Sequence, residues 1–520
     1  MVKKVPADSE TLKGTETGIL LSSVDRKPPA FHEVYPILEP YVYAAIVKDT
    51  RNQKLAYEVI EPTLQPSEKA ILVQVKRFLM DEVDVSFNEI ETKEKAMEYL
   101  KEKAVLTIGR YRLRVGAEAF EKLFYYIARD FIGYGKIDPL MRDQLIEDIS
   151  TDGIGIPVYI WHRMHESLPT NVVFDNEGEL NSFIVRLAYM AGKNVSIASP
   201  LLDASLPDGS RIQMSYGSEV TKRGPTFTIR RFRADPLTIS DLIALNTISS
   251  EMAAYLWYII ENRASVIVAG GVAAGKTTML NCLSMFIKPE MKIVSVEDTQ
   301  ELNLPHENWI PSVVRLGFAR GNGRDGSISL FDLLKTAVRQ RPDYIIVGEV
   351  RGEEAFTLFQ AMATGHLGMS TIHAESVEAV MNRLESEPMN IPRALVATID
   401  VVIITARMDI NDRPSRRATT ITEVLDANRK TNEISTNAIF TWNPKKDNFT
   451  FHDDSSLLEK QKEKLGISTE DVKHELLSRR TVLEWMAQKG IRHYTEVSDV
   501  IREYYLNPTR VYQKARVGAK

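Results

Sequence analysis

The spacing of apolar residues changes character along the chain. Over Pro66–Glu82, Ile71, Leu72, Val75, Phe78 and Leu79 fall on one helical face, and Glu91–Leu106 and Ala117–Ile132 continue the three-to-four period, which predicts three amphipathic helices. Residues 40–61 read as two strands around the polar turn Thr50–Gln53. Together these suggest a mainly helical domain over 31–115. Residues 116–233 mix both patterns. Leu180, Phe183, Ile184, Leu187 and Ala188 mark a helix, and Val158–Trp161 and Thr226–Phe232 are strand-like. Pro236 opens a linker at 234–238, after which Ile239–Ile260 reads as one helix.

From Ser265 the pattern changes again. Ser265–Ala269, Ile293–Val296, Tyr344–Val347, Met369–His373 and Val401–Thr405 are short apolar runs separated by helix-length segments. Strands that are apolar on both faces, alternating with helices, predict a mostly parallel sheet covered on both sides. Residues 419–452 suggest antiparallel strands with a hairpin turn at Asn443–Asn448, and the rest of 239–520 reads as helical. The fold class is therefore α/β: a domain with a mostly parallel sheet, preceded by a helical domain and a mixed α/β domain. Residues 1–30 are rich in Ser, Thr, Lys, Glu and Gly and end at Pro28–Pro29; they are expected to be a flexible tail, with Gly18–Leu21 as a docking motif within it.

Composition narrows the possibilities. The 520 residues are 44% hydrophobic and 26% charged with a net charge of −5, which suits globular domains and counts against a dedicated nucleic-acid binder. With Cys282 as the one cysteine, no internal disulfide or cysteine-rich zinc module can form; a buried place on the helix after the P-loop is expected for it. No apolar run approaches the ~20 residues of a membrane-spanning helix, so a cytoplasmic protein that meets membranes through partners or surface docking is expected.

The strongest motif is Gly270-Gly271-Val272-Ala273-Ala274-Gly275-Lys276-Thr277, followed by Thr278. It fits the G-x-x-x-x-G-K-[ST] phosphate loop, with a strand before it and a helix after it. Glycines let the backbone aim N–H groups at phosphate, and the helix N-terminus adds its dipole. Lys276 would reach the β- and γ-phosphates, Thr277 would ligate Mg²⁺, and Thr278 would support the α-phosphate side. ATP and Mg²⁺ are the implied substrate and cofactor.

Three further elements follow in order. Glu297-Asp-Thr-Gln-Glu301 comes directly after a strand, at the edge where α/β sites form, and Glu301 or Glu297 could orient water. Asp343–Glu349 is a buried strand leading to a carboxylate, with Gly348 where the usual pattern has Asp. Gly365–His373 is a glycine-rich turn into a strand carrying His373, which can sense charge at a γ-phosphate.

The order of these elements resembles the secretion ATPase superfamily, whose Walker A, Asp box, Walker B and His box match Gly270–Thr278, Glu297–Glu301, Ile345–Glu349 and Gly365–His373. The likeness extends upstream to Tyr134–Leu140 and covers most of 116–410. It implies a RecA-like ATPase domain, Glu301 as the water-activating residue, Mg²⁺ near Thr277 and Glu301, and a homohexamer. It also implies arginines contributed from the N-terminal domain, for which Arg211 and Arg230 are the candidates, with Arg231 and Arg233 beside them. Gly352 in place of Asp, the missing Cys-rich insert, Pro236–Trp257 and Leu304–Trp309 resemble the archaeal branch. That branch implies a motor for the archaellum or for adhesive pili. Its partners would be a polytopic membrane platform protein and accessory motor proteins, with no nucleic acid. Arg320 and Arg324 lie in the glycine-rich stretch Gly317–Gly326, expected to be mobile.

Overall fold

The computed structural model describes residues 31–48, 54–82, 92–232, 235–315, 326–410, 413–427 and 434–518. It divides into two units, Met1–Phe232 and Arg233–Lys520. The tail 1–30, the turn Thr50–Gln53, Arg233 and Ala234, and most of Gly317–Gly326, with Arg320 and Arg324, lie outside the described residues.

In the first unit, strands β1 (Phe31–Leu38), β2 (Val42–Lys48), β3 (Leu55–Ile60), β4 (Ile146–Thr151), β5 (Pro157–His162), β6 (Glu166–Val173), β7 (Leu201–Ser205), β8 (Arg211–Ser215) and β9 (Thr226–Arg230) form a sheet. Its order is β1-β2-β3-β6-β5-β4-β9-β8-β7. The strands at 31–60 therefore join the sheet of residues 146–230, within one unit that also holds the helices that follow them. Val42, Ala44, Ile46 and Tyr57 bury their apolar faces with Tyr134, Ile137 and Leu140. Tyr35 and Tyr57 both donate to the buried Asp143 carboxylate, at 2.6 and 2.7 Å, which pins β1 and β3 to the chain beyond residue 138. The helices Pro66–Glu82, Lys93–Arg110 and Ala117–Phe131 enclose a separate core of Leu72, Val75, Leu79, Leu100, Leu123 and Ile127.

In the second unit, β10 (Val266–Gly270), β11 (Ile293–Glu297), β12 (Trp309–Val313), β13 (Tyr344–Val347), β14 (Leu367–Ile372), β15 (Val401–Ile410), β16 (Arg413–Ala427), β17 (Ile434–Asn443) and β18 (Asn448–Phe451) form the sheet β12-β11-β13-β14-β10-β15-β16-β17-β18. From β12 to β15 every pairing is parallel; from β15 to β18 every pairing is antiparallel. β14 separates the P-loop strand β10 from β13, as in RecA-like folds. The strand β12 escapes the apolar pattern because it is a half-exposed edge, and an edge tolerates its Pro311. The helix expected over Ile239–Ile260 is two, Ile239–Ala244 and Ser250–Glu261. Asn246 adopts a left-handed φ of 55° that stops the first, and the Ser249 hydroxyl caps the second by accepting from Met252 N.

Helix Thr469–Lys489 packs along Ser250–Glu261, Tyr494–Leu506 brings Tyr504 and Tyr505 to Trp257, and Pro508–Gly518 packs on Thr469–Lys489. Trp257 is the centre of that contact. It is fully buried, stacks on Phe286 with centroids 5.3 Å apart, and donates to the Tyr505 hydroxyl at 2.8 Å. The Arg479 guanidinium lies 5.6 Å from its ring and is paired with Glu261 and Glu475. Cys282 is buried, as expected for a small apolar side chain. No helix among the described residues is long and apolar enough to cross a membrane. Truncating Trp257 to Ala is expected to lower the stability of the second unit by roughly 3–5 kcal/mol, read as a lower midpoint in urea unfolding followed by tryptophan-independent circular dichroism.

Candidate functional site

The parallel register brings the ends of four strands to one edge. Ala269 pairs with Ile372, Val347 with Ser370, and Val296 with Val347. The chain thus leaves β10, β11, β13 and β14 at their carboxyl ends side by side, the usual place for a ligand in such sheets.

The P-loop leaves β10 at Gly270. A Cβ there would stand 2.3 Å from Thr405 O and 2.6 Å from Thr405 Oγ1, so only glycine lets the loop turn against β15. Gly275 caps the helix Lys276–Ser284 with φ 85°, a conformation glycine adopts without strain. Gly271 is partly buried, Val272 and Ala273 are exposed, and Ala274 is buried. Thr277 and Thr278 sit in the first helical turn, where unpaired N–H groups favour an anion. Lys276 is buried, and its ammonium donates to Gly271 O at 2.8 Å and to His373 Nδ1 at 3.2 Å.

His373 follows directly on β14. Because an ammonium can only donate, its Nδ1 accepts and the ring proton is on Nε2, 3.1 Å from Glu349 Oε1. That contact is too poorly aligned to count as a hydrogen bond, and Glu349 Oε1 is a buried atom without one. Glu349 Oε2 accepts from Arg351 Nη2 at 2.6 Å, and Arg351 Nη1 lies 3.5 Å from Asp298 Oδ2. Burial, and then the Lys276 charge, hold the His373 pKa below its ordinary value against the opposing pull of Glu349. The imidazole is therefore neutral at pH 7.

The Gly348 departure has a physical counterpart. A Cβ on Gly348 would stand 3.1 Å from Glu297 Cγ. The space that a side chain would take is filled by the neighbouring strand's glutamate. Glu297 is 2% exposed, and its Oε1 accepts from Glu301 N at 2.9 Å and from Leu302 N at 3.0 Å. Its Oε2 is buried without a partner. Glu297 therefore fixes the turn on which Glu301 stands exposed. Burial pushes the Glu297 carboxyl up to about 7, against the two N–H donors that favour its charge.

Arg211 and Arg230 belong to the first unit. They face each other across β8 and β9, both exposed, with Asp148 opposite Arg230 on β4. Arg231 instead is partly buried and donates to the Asp143 and Ile146 carbonyls, a structural role. Three residues at the edge were not anticipated: Arg351, Glu375 and Arg416. Glu375 Oε1 lies 3.0 Å from where a Cβ of Gly271 would be, and Arg416 Nε donates to Ala273 O at 3.3 Å. Each is placed by contacts across strands. The sequence cue, an acid two residues after the strand-end histidine or a basic hairpin, is too common to single them out.

Residues 134–456 match the family described as Type II/IV secretion system protein. The chain belongs to that family, the secretion ATPases. Similar proteins include Uncharacterized protein MJ0900 of Methanocaldococcus jannaschii, 36% identical over 494 residues, covering 91% of this chain and 88% of that one. The Type IV secretion system protein PtlH of Bordetella pertussis is 31% identical over 263 residues, 44% of this chain and 76% of that protein. Among solved structures, the pilus retraction motor PilT with bound ADP is 14% identical with a TM-score of 0.38, covering 71% of this chain and 93% of that one.

A carboxyl raised from its ordinary value of 4.5 to about 7 binds its proton more tightly when folded. Its stabilising effect is present below about pH 4.5 and is lost as pH rises through 7. Glu297→Gln keeps an oxygen for Glu301 N and Leu302 N but cannot ionise. Relative to that variant, the wild-type chain is expected to lose roughly 2–3 kcal/mol between pH 5 and pH 8, measured by denaturant unfolding at both values.

Proposed function

We propose that this secretion-family chain is a Mg²⁺-dependent ATPase that powers assembly, and rotation, of an archaeal filament of the type IV pilus kind, the archaellum. It would act as a homohexamer on the cytoplasmic face of the membrane, through a polytopic platform protein and accessory motor proteins, without nucleic acid. The observation that carries the ATPase reading is the line of contacts Lys276–His373–Glu349 at the mouth of the P-loop. From Gly271 O and His373 Nδ1 the Lys276 ammonium can turn to phosphate.

The residues suit the substrate. The glycine turn, the helix N-terminus and the buried ammonium fit a triphosphate. Among the described residues no group of three or more His, Cys, Asp or Glu is gathered to hold a metal. That agrees with Mg²⁺, which is commonly held by phosphates, water and one or two protein groups. Thr277 would hold it, with Glu301 and Glu349 reaching through water, and the ion would neutralise charge on the phosphates.

In this reading Lys276 leaves Gly271 O and His373 to bind the β- and γ-phosphates. Glu301, on the turn fixed by Glu297, aligns water for in-line attack, helped by Glu349. Arg211 and Arg230, contributed by a neighbouring copy, stabilise charge on the transferring phosphoryl. When phosphate leaves, Lys276 returns to His373, which passes the change to β14.

The archaeal assignment is supported by likeness to a Methanocaldococcus protein over nearly the whole chain. A second reading, adhesive-pilus or secretion assembly, is favoured by the likeness to PtlH. Two experiments test the proposal. Lys276→Ala is expected to lose nucleotide binding, whereas Glu349→Gln and Glu301→Gln bind MgATP but lose turnover by about 100-fold or more. Full turnover in both glutamine variants would sink the assignment. In the source cell, Lys276→Ala should abolish swimming filaments and leave adhesive pili. The opposite pattern would select the second reading.

A further inference from the structure

The antiparallel hairpin β15–β16 extends beyond the site edge. β10 stops at Gly270, level with Thr405, but β15 continues to Ile410 and β16 starts at Arg413. Residues 406–410 and 413–417 therefore overhang the P-loop. Two neighbouring arginines on this overhang have opposite fates. Arg417 is buried, with Nε 2.7 Å from Asp447 Oδ1 and Nη2 2.8 Å from Asp447 Oδ2, and it also donates to Leu245 O. It fastens the hairpin to the β17–β18 turn. Arg416, one position before it and so on the other face of the strand, is half-buried and reaches the P-loop. Its Nε donates to Ala273 O at 3.3 Å, and its Cγ lies 4.0 Å from the place of a Cβ on Gly275. Arg407 starts from the position directly opposite Arg416 on β15.

We propose that Arg416 is a nucleotide-binding residue, its guanidinium clamping the α- and β-phosphates that ADP and ATP share. The proposal rests on the nucleotide reading above and adds a contact from the chain's own ATPase unit. Its position divides the phosphates with Lys276. The ammonium lies at Gly271, where the loop begins, beside His373 and Glu349. Arg416 lies at Ala273–Gly275, where the loop enters the helix. A planar guanidinium offers paired donors to phosphate oxygens and stays charged at any working pH. Its bond to one loop carbonyl holds it at the site before nucleotide arrives, which lowers the cost of ordering a long side chain on binding.

The test is equilibrium binding of fluorescent ADP and of MgATP to the full chain, wild type and Arg416→Ala, at low and high salt. The proposal expects the Kd of both nucleotides to rise by the same factor, about 10-fold, and the salt dependence of binding to weaken with the lost charge. Arg416→Lys should recover part of the loss. If the alanine variant melts early, the lysine variant carries the test, with a smaller rise equal for both nucleotides. Unchanged Kd values would overturn the proposal and leave the nucleotide reading intact. A rise for MgATP alone would overturn it by placing the contact at the γ-phosphate. No binding of either nucleotide by the wild type would instead overturn the nucleotide reading, and this proposal with it.

Discussion

The parallel register of β10, β14, β13 and β11 is the constraint on which the site depends. Neighbouring strands lie about 4.8 Å apart, and here they end level. Residues far apart in the chain are therefore delivered to one edge. Lys276 meets His373 across 97 positions, and Glu349 meets the same imidazole from the next strand over. Nothing local holds that arrangement. It follows from buried apolar strands such as Val266–Ala269 and Tyr344–Val347, whose pairing must be in register to satisfy their backbone groups. The loop that leaves the edge is equally constrained, since only a glycine at 270 clears Thr405.

On that frame the charges neutralise one another. An ammonium, a neutral imidazole, a carboxylate and a guanidinium follow in sequence from Lys276 to Arg351, and Asp298 stands at the far end. A buried ammonium without acceptors would be costly, and Gly271 O and His373 supply them. A triphosphate would offer the ammonium stronger acceptors, and in the proposed reading this ties His373 to the binding and release of phosphate. Glu297 serves differently. It is the buried pin of the Glu301 turn, and it occupies the room that Gly348 leaves open.

Much of this was legible in the sequence for a physical reason. The P-loop is a local device, so its glycines, lysine and threonine fall within a few positions of one another. The strands of the second sheet are buried on both faces and stand out as continuous apolar runs. What escaped is non-local or weakly patterned. The edge strand β12 and the strand β1 carry too many polar or Pro positions to announce themselves. That the strands at 31–60 join the sheet of residues 146–230 is not legible, because the tyrosine–Asp143 contacts that fasten them span about a hundred residues. The break near Asn246 is a single left-handed residue inside an apolar pattern. Arg416 and Glu375 reach the P-loop from elements more than 90 residues further along, and no spacing rule connects them to it.

The central claim is that this edge hydrolyses ATP and is not merely a place where nucleotide rests. Continuous measurement of phosphate release from MgATP, across a range of protein concentrations and without nucleic acid or lipid, tests it most directly. The account predicts Mg²⁺-dependent turnover whose specific rate climbs to a plateau as copies associate and bring Arg211 and Arg230 to the site. Tight nucleotide binding with no phosphate released at any concentration would contradict it.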